Sequence, residues 1–164
     1  MTVVHFYFAY GSNMNPERVA ERGLVTRDKM GATLSGFKML FNKRNAGIPG
    51  VGHANIEYDR QCVVEGVLYE LASPDEILKM DVFERAPINY GRDVVRLETV
   101  MGKRWAWTYF ANKALLKENL LPERDYLDHL LEGKRYLSNR YYSCLLYTSP
   151  SPRDRTRSRM PSSA

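Results

Sequence analysis

The spacing of apolar positions changes several times along the chain, and each change marks an element. Residues 3–10 (Val-Val-His-Phe-Tyr-Phe-Ala-Tyr) are an almost unbroken apolar and aromatic run, the pattern of a buried strand. The run stops at Tyr10-Gly11-Ser12-Asn13, a turn cluster. Asn15-Pro16-Glu17 then reads as a helix cap with proline in the first helical position, predicting a short helix through Val19 and Ala20. A second strand is predicted over 32–41 with a bend at Gly36, and residues 45–53, with Gly47, Pro49, Gly50 and Gly52, read as a loop. Further strands are predicted at 54–58 and 62–71, where Val63, Val64, Val67, Leu68 and Tyr69 concentrate. Ser73-Pro74-Asp75-Glu76 combines a cap, a proline and a capping-box glutamate, so a helix should follow and end near Phe83, before Pro87. Strands at 93–100 and 104–110 flank Met101-Gly102-Lys103 as a hairpin turn. Tyr126, Leu127, Leu130 and Leu131 then share one face of a later helix. Strands early and helices late, without a repeat, predict an α+β fold with a strongly curved sheet.

Composition narrows this picture. A chain of 164 residues with 44% hydrophobic and 26% charged positions is long enough for one real core and argues against wholesale disorder. No apolar run approaches the roughly 18 residues of a spanning helix, and the start of the chain lacks the basic segment of a signal peptide. Two cysteines, Cys62 and Cys144, make no disulfide framework, which fits a reducing compartment. The expectation is a cytoplasmic protein without a membrane partner. Of the net charge of +5, +3 lies in residues 145–164, through Arg153, Arg155, Arg157 and Arg159 against Asp154. The remaining charges are scattered, so no nucleic-acid partner is expected. The tail itself is rich in Ser, Pro and Arg and is expected to be disordered. From Cys144 onward it resembles translated sequencing-adapter read-through, as at the ends of environmental gene fragments. The expected division is therefore a folded domain at 1–144 and a non-native tail at 145–164.

Most candidate chemistry falls away on inspection. His5, His53 and His129 lie far apart and fit no metal-ligand pattern, so neither metal nor cofactor is expected. Ser12 lacks a nucleophile elbow, and residues 47–52 lack the lysine and hydroxyl of a phosphate-binding loop. Two elements remain. The strand-to-turn segment at 8–13, with a helix behind it, can converge backbone N–H groups on an anion, although many strands end this way simply to turn. Asp81 and Glu84 share a helix face in apolar company, which raises a carboxyl pKa and suits proton transfer, although a solvated helix end has the same pattern.

Taken together and in order, these segments carry more information than either alone. Phe8-Ala9-Tyr10-Gly11-Ser12-Asn13 resembles the signature of the γ-glutamylcyclotransferase-like family. Leu34-Ser35-Gly36-Phe37, Gly66-Val67-Leu68-Tyr69-Glu70-Leu71, Met80-Asp81-Val82-Phe83-Glu84, Tyr90-Gly91-Arg92, Tyr109 and Pro122-Glu123-Arg124-Asp125-Tyr126-Leu127 follow in the family's order, over about residues 5–143. The resemblance implies a small mixed β-barrel flanked by helices. It also implies an intramolecular reaction in which the α-amine of a small γ-glutamyl compound attacks its own γ-carbonyl, releasing 5-oxoproline and a free amine. In that reading Glu84 is the general acid/base. Tyr10, Gly11, Ser12 and Asn13 hold the γ-glutamyl group, and Tyr109 and Tyr126 lie on the substrate side. Many members have glycine after the glutamate; this chain has Arg85, expected as a surface side chain. The alternative is a non-catalytic small-molecule or protein-binding module on the same fold. Oligomeric state is not encoded in these motifs.

Overall fold

The apolar run near the start of the chain becomes β1 (Phe6–Ala9), and it is covered on both faces because it belongs to a barrel. In the computed structural model, which describes residues 3–152, β1 is joined by β2 (Thr26–Arg44), β3 (Gly52–Leu71), β4 (Tyr90–Thr99) and β5 (Gly102–Ala111). The five strands close in the order β1-β3-β2-β4-β5. Neighbours are antiparallel except at the β1–β5 seam, which is parallel, with Tyr7 opposite Trp107. The mixed α+β barrel is the architecture expected from the sequence.

Alternation along the strands divides the core in two. Phe8 of β1 and Tyr10 just beyond it pack with Ala32, Leu34, Ile56, Val64, Leu68, Val95, Leu97 and Ala106, a cluster drawn from all five strands that fills the barrel. Tyr7 and Ala9 face the other way, into a cluster with Val67, Tyr69, Val19, Met80, Leu130 and Leu145, where helices cover the outer wall. The helices are α1 (Pro16–Glu21), α2 (Ile77–Phe83), α3 (Arg124–Leu131) and α4 (Asn139–Leu146). Asn15 and Ser73 cap as expected: Asn15 Oδ1 accepts from Glu17 N–H, and Ser73 Oγ accepts from Asp75 N–H. Ser73 introduces a 3-10 turn that leads into α2. The Glu76 carboxylate, rather than closing a capping box, accepts from Val25 N–H and pairs with Lys79.

The strands are longer than their apolar stretches. β2 begins at Thr26, because residues 26–31 pair with β3 even though their side chains give no alternating pattern. The strands expected at 54–58 and 62–71 are one strand, β3. The ladder skips from Phe37–Tyr58 to Ser35–Val63, a slip at Gly36, whose φ of +85° favours glycine. The boundary expected at residue 144 falls inside α4. Its Ser138 cap is held by Glu65, and Leu145 is buried in the outer core. The backbone then runs on to Ser151, whose N–H donates to Pro122 O. Residues 153–164, most of the expected tail, lie outside the described residues.

One close approach inside the barrel shows how tightly β1 is held. A methyl group on Gly66 would stand 2.3 Å from the Ala9 carbonyl oxygen and 2.8 Å from the Phe8 ring. Gly66→Ala is therefore expected to destabilise the protein by roughly 2–4 kcal/mol, measured by chemical denaturation. A loss below about 1 kcal/mol would show that β1 can move away from β3 without penalty.

Candidate active site

At one end of the barrel, the turn that follows β1 meets α1, α2 and α3 around a cavity of about 220 Å³. Gly11 is closely approached there: a Cβ would lie 3.1 Å from Tyr126 Oη and 3.2 Å from Ala54 Cβ, so a side chain would push these neighbours aside by a few tenths of an ångström. Ser12, at the start of a short 3-10 turn, lines the cavity, and Asn13 is buried beneath it. The Asn13 amide is fully occupied. Its Nδ2 donates to Tyr7 Oη at 2.8 Å and, over 3.4 Å, to Glu84 Oε1, while its Oδ1 accepts from Arg22 at 3.0 Å. Its backbone carbonyl accepts from Tyr69 Oη at 2.6 Å. Asn13 thus reaches Glu84 through its side chain.

Glu84 is the C-cap that follows α2, and the chain leaves the helix in a Schellman motif. Arg85 N–H donates to Val82 O and Ala86 N–H to Asp81 O. The motif needs a left-handed residue after the cap, and Arg85 supplies it with a φ of +50°. Glycine takes this conformation freely, whereas an L residue does so at a cost of about 1 kcal/mol. Arg85 itself is exposed. The two carboxylates of α2 have separate surroundings. Asp81 is bonded to Arg92 at 2.9 Å and accepts from Tyr109 Oη at 2.7 Å, and Arg92 stacks on Trp107. Glu84 has no ion pair within 4 Å among the described residues. Burial pushes its carboxyl up to about 7, against the downward pull of Arg22, Arg18 and Lys43. The carbonyl end of the α2 dipole acts in the same direction as burial.

All seven residues singled out from the sequence line this cavity, although not every side chain is free. The Tyr10 hydroxyl donates to the Tyr109 carbonyl, Tyr109 Oη is committed to Asp81, and Tyr126 Oη accepts from Ala54 N–H. Burial raises the pKa of each of these phenols, so they remain protonated. The cavity also contains residues that the sequence reading did not select: Tyr7, Tyr90, Arg18, Arg22, Lys43 and His53. Arg18 on α1 and Arg22 at its C-cap are four apart, behind the glycine turn, and that spacing was a usable signal. Lys43 and His53 are paired across β2 and β3 where the ladder slips between Leu40 and Lys43, and nothing in the sequence marks that slip. His53 stacks on Tyr126, and burial, Lys43 and Arg18 bring its pKa down to about 4, so it is neutral. Among the described residues no three His, Cys, Asp or Glu side chains converge as a metal would require, and no helix is long and apolar enough to cross a membrane.

A closed five-stranded barrel whose mouth holds a glycine turn and a single poised carboxylate defines a class of small-molecule site. The family model described as gamma-glutamyl cyclotransferase, AIG2-like, matches residues 7–128, and the chain belongs to that family. A solved gamma-glutamyl cyclotransferase is similar in fold, with a TM-score of 0.75 and 24% identity over 90% of this chain and 89% of its own. An uncharacterised protein from Homo sapiens aligns with a TM-score of 0.78 and 23% identity over 92% and 91% of the two chains. A yeast gamma-glutamyl cyclotransferase described as specific to glutathione aligns with a TM-score of 0.62 and 13% identity over 86% and 93%. No curated protein sequence matches the chain.

The raised pKa of Glu84 ties the site to stability. Between about pH 4.5 and pH 7 the folded chain keeps a proton that the unfolded chain releases, so this group's contribution falls as pH rises through that window. The loss is at most about 3 kcal/mol, less whatever solvent at the cavity mouth screens. Glu84→Gln removes this titration. It is expected to raise Tm by about 2–6 °C at pH 8 and to leave it near wild type at pH 4.5, in thermal melts at both values. An equal Tm difference at both pH values would mean that the carboxyl is as well hydrated in the fold as outside it.

Proposed function

We propose that this protein is an intramolecular cyclotransferase that releases 5-oxoproline and a free amine from a γ-glutamyl amide, with Glu84 as the general acid/base. The observation that carries this reading is a lone carboxylate, free of ion pairs and raised to about 7, on the wall of a cavity that also holds the Tyr10–Asn13 segment. The substrate α-amine is an ammonium at neutral pH and must lose a proton to become a nucleophile. Glu84 takes that proton, and the amine nitrogen attacks the γ-carbonyl carbon, forming the ring C–N bond and an oxyanion. Backbone amides of the Gly11–Asn13 segment supply donors to the oxyanion. The intermediate collapses as the original amide C–N bond breaks: Glu84 returns its proton to the departing nitrogen, and the ring nitrogen gives up its second proton to the freed amine, which leaves as an ammonium while 5-oxoproline keeps one N–H. One carboxylate serves both transfers, and a pKa close to ambient pH suits a group that must accept and then donate. The nucleophile is already tethered to its target, so holding the substrate folded replaces much of what a hydrolase does with a second catalytic group.

The test is 5-oxoproline release, followed by mass spectrometry, from γ-glutamyl dipeptides, ε-(γ-glutamyl)lysine and glutathione. Wild type is expected to release product from at least one of them, with kcat/KM rising through a midpoint of about pH 7 as Glu84 ionises. Glu84→Gln is expected to fold and to lose at least about 10³-fold in turnover, because an amide accepts no proton. Turnover near wild type in that variant would remove Glu84 from the role. Binding without product from folded wild-type protein would leave a binding module.

A further inference from the structure

Glu84 is delivered to the cavity by a helix with little apolar anchorage. α2 has seven residues, about two turns, too few to hold its shape without tertiary support. Ile77 and Met80 are buried, whereas Leu78, Val82 and Phe83 are exposed. What ties the helix to the barrel wall is Asp81. Both oxygens of its carboxylate accept from Arg92 Nε, at 2.9 and 3.1 Å, and Oδ1 also accepts from Tyr109 Oη at 2.7 Å. Arg92 and Tyr109 face each other across the β4–β5 ladder, and the Arg92 guanidinium lies over the ring of Trp107, 4.2 Å from its centre. One hairpin thus grips one carboxylate of α2 through short, charge-assisted bonds and a stacked cation.

The grip acts next to Glu84. The Asp81 carbonyl accepts from Ala86 N–H and so closes the turn in which Glu84 sits. The Asn13 amide reaches Glu84 over 3.4 Å, a long bond that orients the carboxylate without carrying the helix. The charges that act on the Glu84 carboxyl are Arg22 at the end of α1, Arg18 within α1 and Lys43 of β2, and the phenols of Tyr7 and Tyr10 face it from the β1 side. Asp81 and Arg92 neutralise one another, so their influence on Glu84 is one of position.

We infer that Asp81, Arg92 and Tyr109 are positioning residues that clamp α2 to the β4–β5 hairpin and thereby hold Glu84 against the cavity wall. Tyr109 then serves the site through α2 rather than on the substrate. The kinetic part of the test rests on the cyclotransferase reading above, and thermal melts examine the clamp without it.

Asp81→Asn and Arg92→Gln are each expected to lower kcat by about 10–100-fold with KM within about threefold of wild type. Both should also move the midpoint of kcat/KM down from about pH 7 by at least about one pH unit, because a loosened Glu84 is better hydrated and ionises more readily. Tyr109→Phe, which lacks one hydroxyl, should give the same changes on a smaller scale. Loss of charge alone would move the midpoint down in Asp81→Asn and up in Arg92→Gln. Opposite shifts, or an unmoved midpoint beside a lowered Tm, overturn the inference. In melts at pH 8, the gain of about 2–6 °C from Glu84→Gln is expected to shrink below about 1 °C when Asp81→Asn or Arg92→Gln is already present. A gain of equal size in all backgrounds, or none in wild type, overturns the clamp whether or not 5-oxoproline is formed. A gain that disappears only in the variants keeps the clamp even if no compound is turned over. If Asp81→Asn does not fold, Arg92→Gln and Tyr109→Phe provide both readings.

Discussion

The side chain of Asn13 is bonded at once to β1 through Tyr7 and to the residues that cap the C-terminal ends of α1 and α2, Arg22 and Glu84. An amide has one acceptor and two donor hydrogens, and each end is engaged here, so its orientation is set by its partners. The backbone of the same residue is tied to β3 through Tyr69. Glu84 therefore does not find its position alone. Its carboxylate is aimed by a group that is itself held from three directions, and α2 delivers it through a helix ending that Arg85 completes in a conformation more natural to glycine. Loosening Asn13 would release the turn, the arginine and the carboxylate together.

The closed barrel explains where the charged groups of the site collect. Its interior is filled by Phe8, Leu34, Ile56, Leu68 and Leu97, so the polar groups collect at the mouth, where strand ends and helix ends converge. Charge at that position is held at a cost in stability, as is common where function needs groups that a core would otherwise exclude. Asp81 and Glu84 illustrate the division of labour within one helix. The first is spent on Arg92 and Tyr109 and secures α2 to the barrel wall; the second is left without a counter-ion and is available for chemistry.

Much of this could be read from the chain because local chemistry and tertiary structure agree there. The caps at Asn15 and Ser73, the two-sided apolar run of β1 and the face formed by Leu127 and Leu130 are each dictated by neighbours in sequence. Legibility ends where distant pairing decides. Residues 26–31 are strand because β3 lies alongside, not because of their own pattern, and Asp59 to Gln61 look like a break yet sit within one continuous strand. The same holds at the site. Gly11 and Glu84 stand in short recognisable segments. Lys43 and Tyr90 enter the cavity only through the slip in β2 and the closure of β4 on β5, and neither leaves a local trace.

β1 is only four residues long, and it closes the barrel against segments that are synthesised much later; the Thr108 hydroxyl on the Phe8 carbonyl spans 100 residues of chain. The loop entropy of that closure is met before the seam returns any contact energy. The Tyr10–Asn13 segment is the direct continuation of this strand. A nascent chain that has not yet reached β5 already contains that turn, and Glu84 as well, but no wall against which they can be set. The cavity is thus completed only when the barrel closes, so the turn and the carboxylate share a site in the closed barrel alone.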